Sequence, residues 1–155
     1  MRFLDRNWAE GLHDDFTTGL YLSVYMQHLA DIGPELPHAA RALAVQSRGM
    51  LLSEAELLAT RLDDKEGAFS LVLKFSGHGL EHYLELEYLG VSRDTSELDA
   101  FDLAEQILTD EFDLGPDGTF EHRLLLAPEG EAVIRFKDMR FHARHEEEPA
   151  EKDAE

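Results

Sequence analysis

His82 and His122 each stand two residues before leucines at even spacing, Leu84/Leu86 and Leu124/Leu126. Every second side chain of a strand points to one face, so both imidazoles are expected on the apolar side of a sheet. Asp138 sits where the pattern of the last strand slips. Ile134 and Phe136 share one parity, Met139 and Phe141 the other. A bulge at Lys137-Asp138 would bring all four inward, and bulges often re-aim side chains at sites. Brought together by the register, His82, His122 and Asp138 could move protons or bind a divalent ion. The alternative is two partly buried histidines bonded to backbone; the order of residues does not fix the register.

The other histidines offer less. His78 and His82 have a metal-like spacing, but four residues of extended strand span about 13 Å, too far for one ion whose ligands lie about 2 Å away. His142 and His145 fall on opposite faces of a strand. His13-Asp14-Asp15 reads as a helix start. No metal or cofactor is expected. Cysteine is absent, which excludes disulfides, thiolate metal sites and cysteine nucleophiles. There is no phosphate loop, nucleotide-binding glycine motif or nucleophile elbow.

Charge gives the second lead. The chain of 155 residues carries 33 acids and 14 bases, a formal net charge of −19. That argues against a nucleic-acid partner, because phosphate binding is driven by Lys and Arg. Residues 81–121 hold 13 acids and one base, Arg93. Glu81, Glu85 and Glu87 alternate with Leu84, Leu86 and Tyr88, so they are expected on the solvent face with Tyr83 among them. Asp110, Glu111 and Asp113 belong to the following hairpin and could extend that face. Aromatics ringed by charge can anchor an interface, and acidic surfaces capture basic partners quickly and selectively. Two functions follow. One is a non-catalytic binding protein presenting Glu81, Tyr83, Glu85, Glu87, Asp110, Glu111 and Asp113 to a basic protein. The other is a small hydrolase or isomerase using His82, His122 and Asp138.

These residues need elements to position them. Asp14 or Asp15 can cap a helix from Phe16. Phe16, Leu20 and Val24 recur at fourfold spacing beside a stripe of Tyr21, Tyr25, Leu29 and Ile32; together they read as one broad apolar face. Gly33-Pro34 stops this helix, and a second runs from about Pro37 to Gln46. From Leu52 the period becomes two. Strands are expected at 56–62, 68–75, 81–89, 106–112, 119–127 and 131–141, with a short helix between 94 and 105. The fold class is α+β: N-terminal helices packed on an antiparallel meander of about five to six strands. The expected organisation is a single domain over 1–143, helical over 14–46 and mainly β over 52–143. The acidic stretch 144–155 is expected to be a disordered tail.

No apolar run suits a signal peptide or a membrane span, so a cytoplasmic protein with no membrane partner is expected. Met1-Arg2-Phe3 with Trp8, Leu89-Gly90-Val91, Phe120–Leu126 and Ile134-Arg135-Phe136-Lys137-Asp138 resemble the opening, strand ends and last strand of a bacterial family of uncharacterised small acidic α+β proteins. The resemblance spans most of 1–141. Members often carry Leu-His-Asp before the first strand, where this chain has Leu51-Leu52-Ser53-Glu54. The family has no settled activity; its general character is similar to that of bacterial immunity proteins, an analogy of fold only.

Overall fold

The computed structural model describes residues 1–46, 52–77 and 80–146; for 45–46, 76–77, 80–81 and 144–146 it describes the backbone alone. The tail expected to be disordered falls largely on 147–155, outside the described residues, as does His78.

Three helices come first: α1 (Arg6–Ala9), α2 (Asp15–Ile32) and α3 (His38–Gln46). Asp14 caps α2 by accepting the Thr17 N–H at 2.7 Å, satisfying one of the amides that the first turn leaves without a partner. Gly33 and Pro34 end it in a 3₁₀ turn. The short α1 is not signalled by periodicity. Asp5 caps it through the Trp8 N–H, and the Trp8 indole donates to the Thr18 carbonyl of α2 at 3.0 Å.

Seven strands follow: β1 (Glu56–Asp63), β2 (Ala68–Gly77), β3 (Leu80–Leu89), β4 (Gln106–Leu114), β5 (Phe120–Ala127), β6 (Glu131–Phe136) and β7 (Asp138–Glu146). Every pairing is antiparallel. The count is seven rather than five to six because the last strand is divided at Lys137. Ile134, Phe136 and Met139 are all buried and Phe141 half-buried, so the bend there shifts the inward parity by one residue.

The order across the sheet is β6-β5-β4-β1-β2-β3-β7, which corrects the simple meander. The fourth strand does not pair with the third; it crosses to the far side of β1. Because β6 and β7 are the two halves of one bent strand, the first and last positions of the sheet are joined through Lys137. At that bend the Lys137 N–H donates to the Leu89 carbonyl at 2.9 Å, and Ser92 donates to Arg135 at 2.9 Å. The one sheet thus has two parts, β6-β5-β4 and β1-β2-β3-β7. They meet at the bend and where Glu56 pairs with Gln106. Beyond that pair β4 parts from β1, and its Phe112 N–H donates instead to the Tyr25 hydroxyl of α2 at 2.7 Å. Thus α2 lies against β4, and α3 against β7. Leu71, Leu73, Leu86, Tyr88, Leu124, Leu126, Ile134 and Phe136 fill the interior.

Gly90 ends β3 at the bend with φ of 65°, and an added Cβ would lie 3.0 Å from the Lys137 Cβ. Gly67 has the same φ, 65°, with nothing within 4 Å. Positive φ alone costs a side chain roughly 1–2 kcal/mol. Gly67→Ala should therefore lower stability by about 1 kcal/mol, and Gly90→Ala should lower it distinctly further, as read from urea denaturation midpoints.

Candidate functional site

The residues picked out by sequence do not converge. His82 is half-buried on β3, its backbone opposite Phe75 and His145. His122 has no exposed surface, and its ring bonds Tyr88, six residues beyond His82 along β3. Six extended residues span about 20 Å, so the two histidines are far apart. Asp138 is exposed, pairs with Leu89, and turns its carboxylate back on the Met139 N–H at 2.8 Å. The bend aims Met139 inward and leaves Asp138 outside.

His122 instead joins a buried chain of its own. Tyr88 Oη lies 2.7 Å from His122 Nδ1, and His122 Nε2 lies 2.6 Å from Asp110 Oδ2. Burial, reinforced by the charge on Asp110, pushes the Tyr88 hydroxyl well above its ordinary pKa. Tyr88 therefore keeps its proton, and the Tyr88 hydroxyl and the Asp110 carboxylate each share one hydrogen with a ring nitrogen of His122. The ring stacks on Phe112, centroids 4.0 Å apart. Such Tyr–His–Asp chains can move protons, but here all three side chains are buried. The chain links β3 to β5 and β4, joining the two parts of the sheet from inside. Asp110 Oδ1 is buried without a hydrogen-bond partner among the described residues.

A second polar cluster occupies the other face of β4 and β5. Arg123 lies opposite Glu111 in the register. Its guanidinium reaches Glu111 at 3.2 Å, Asp113 at 2.9 Å and Glu121 at 2.8 Å. Glu121 also takes Arg135 of β6 at 2.7 Å. Asp113 accepts from His28 of α2 at 2.8 Å and from Arg2 at 2.9 Å. Glu111, with no exposure, accepts the backbone N–H groups of Arg2 at 2.9 Å, Phe3 at 2.7 Å and Leu4. Burial disfavours the charged Asp113, yet the Arg123 bonds, the Leu114 N–H and His28 outweigh it and hold its carboxyl below the usual range. Burial likewise opposes the charge on Arg123, and the surrounding carboxylates outweigh it, raising its pKa.

Asp110, Glu111 and Asp113 are thus interior groups, not extensions of an acidic face. A sequence signal for this existed. The Gly115–Gly118 turn folds the hairpin about its middle, and Arg123 is the single base between Arg93 and Arg135. Six steps either way from Asp117 in that turn set it against Glu111.

The outer face of β3 carries bases beside its acids: Asp63, Glu66, Glu85 and Glu87 share one cleft with Arg61 and Arg140. Glu85 is exposed and Glu87 and Tyr83 are half-buried; Glu81 is placed by its backbone alone. The neighbouring β7 sets Arg140 opposite Glu87, with a 3.0 Å ion pair, and His142 opposite Glu85. Arg61 of β1 lines the same shallow cleft. No group of three or more potential metal ligands occurs among the described residues. Among them, no helix is long and apolar enough to cross a membrane.

Comparison with protein families, curated proteins and solved structures finds no match for this chain.

The lowered pKa of Asp113 fixes the sign of its pH dependence. A carboxyl whose pKa is lower folded than unfolded stabilises the fold fully above its unfolded value, about 3.9. That contribution falls with pH and is gone below the folded value. Asp113→Asn should cost roughly 2–3 kcal/mol at neutral pH. Its urea midpoint should also fall less steeply than that of the wild type between about pH 5 and pH 3. Parallel pH profiles would contradict this role.

Proposed function

We propose that this chain is a non-catalytic binding protein that presents an acidic surface to a basic protein partner. The acids that favour this reading lie outside β3 and β4. Interior pairing accounts for Glu111, Asp113 and Glu121, and β7 balances Glu87. Exposed acids gather in the connection from β3 to β4 and beside the start of β1. Glu97, Asp99, Asp102 and Glu105 are exposed there, and so are Glu54 and Glu56.

The observation that carries the reading is the setting of Leu103. It is 74 % exposed, in a 3₁₀ turn between Asp102 and Glu105. Glu105 shares an open cleft with Glu54, Glu56 and Leu57, where Lys74 is the one base among the described residues. An apolar anchor next to a mainly acidic cleft suits a partner with basic residues around an apolar pocket. Neutralising a basic protein toxin, as immunity proteins do, is the sharpest form of the reading. The hydrolase or isomerase alternative asks His122 to reach a substrate, and its ring has no exposed surface.

Replacing Glu54, Glu56 and Glu105 together with Gln should leave stability unchanged or slightly raised, because all three side chains are exposed. Affinity capture from lysate at about 50 mM salt, where screening is weak, should recover a basic protein with the wild type and lose it with the triple variant. Recovery of the same proteins by both would overturn the reading.

A further inference from the structure

Helix α2 carries two apolar stripes, and the fold uses one. Tyr25, Leu29 and Ile32 are buried. The other stripe faces solvent: Phe16 is 80 % exposed, Leu20 51 % and Val24 51 %, with Leu12 just before the helix at 68 %. The expectation that Phe16, Leu20 and Val24 join the inward face is corrected here. Three large apolar side chains one turn apart form a continuous ridge rather than the scattered exposure that is ordinary on surfaces.

Two features make the ridge a fit surface for another helix. Residues 16–30 contain no Asp, Glu, Lys or Arg, in a chain that is 30 % charged. Beside the ridge run Gly19 and Ser23, both exposed, and nothing lies within 4 Å of a Cβ built on Gly19. A ridge at fourfold spacing beside a shallow groove is the relief that packs helix on helix.

Charge selects the occupant. The exposed Asp14 and Asp15 close one end of the ridge, and the exposed Asp31 closes the other. Asp31 lies in the last turn, where the helix dipole favours a cation, and its side-chain bond is to the neutral Gln27 at 3.1 Å. A second copy would bring acid onto acid in either orientation, between chains of net charge −19. Anionic lipid would be repelled in the same way. Residues 147–155 hold no large apolar side chain to match the ridge. We infer that the outer face of α2 docks an amphipathic helix of a partner protein, its apolar stripe flanked by basic residues. Asp15 and Asp31 lie 16 positions apart, about 24 Å along the axis, so the partner's cations should be spaced by about four to five turns. This surface is separate from the one around Leu103 and binds on its own account.

The test uses the full chain and a dye-labelled synthetic helix with Leu at fourfold spacing and Lys at both ends. Fluorescence anisotropy should show binding that Phe16→Ser/Leu20→Ser weakens at least about tenfold and Asp15→Asn/Asp31→Asn weakens several-fold. The same helix with Glu in place of Lys should not bind. Binding should survive in the Glu54/Glu56/Glu105→Gln variant, which separates this surface from the other acidic one. Phe16→Ser/Leu20→Ser should keep the wild-type urea midpoint or exceed it; Val24→Lys, a single change on the ridge, should also reduce binding. Equal binding by wild type and ridge variants, or none by wild type, would overturn the inference. So would a wild-type dimer in sedimentation that the ridge variants dissociate, or ridge-dependent retention on phosphatidylcholine–phosphatidylserine vesicles.

Discussion

The guanidinium of Arg123 is shared by three carboxylates, Glu111, Asp113 and Glu121, between β4 and β5. Each of those acids holds a further part of the chain. Glu111 grips the amides of Arg2, Phe3 and Leu4 and so fastens the N-terminal segment to the sheet. Asp113 reaches His28 and fixes α2. Glu121 takes Arg135 and ties in β6. Buried carboxylates are costly unless paired and hydrogen-bonded. Without Arg123, three acids would lie together with no shared counter-charge. A buried ion pair need not stabilise a fold more than a hydrophobic replacement would, but removal of one partner is strongly destabilising. The cluster acts as a constraint: the N-terminal segment, α2 and β6 must all arrive for its charges to be satisfied.

The opposite face of the same hairpin meets a different demand. There Phe112, Leu124 and Leu126 pack in the interior with Ile134 and Phe136 of β6. Tyr88, His122 and Asp110 cross that interior as one hydrogen-bonded chain. Polar groups set in an apolar core are satisfied in few arrangements, so they fix register as well as contributing energy. Tyr88 must stand opposite Met139 on β7 and also meet His122 on β5. The bend at Lys137 permits both, because one strand leaves β5 and arrives beside β3.

Much of the architecture is legible in the sequence because its causes are local. Asp14 before an apolar helix, Gly33-Pro34 after it, the alternation of 81–89 and the parity slip at Lys137 each name an element by its own residues. Partners that depend on distant chain are less legible. Nothing near Gln106 shows that β4 turns to β1 rather than β3. Nor does α2 declare which stripe faces inward, since both are apolar; Tyr25 wins because its hydroxyl meets the free Phe112 N–H. The acids misled most. Counted along the chain, residues 81–121 form a negative block, but folding sets Arg123, Arg135 and Arg140 beside its members. Net charge over a segment is not net charge over a surface.

The central claim is that the acids of β4 hold the fold together rather than wait for a partner. A double-mutant cycle on Glu111→Gln and Arg123→Met, read by urea denaturation at neutral pH, tests it most directly, with Glu85→Gln as the exposed reference. Each single change should cost about 3–5 kcal/mol, as breaking a buried pair does. The double variant should cost clearly less than their sum, and Glu85→Gln should stay within about 0.5 kcal/mol. Single costs no larger than that of Glu85→Gln, adding without coupling, would contradict the claim.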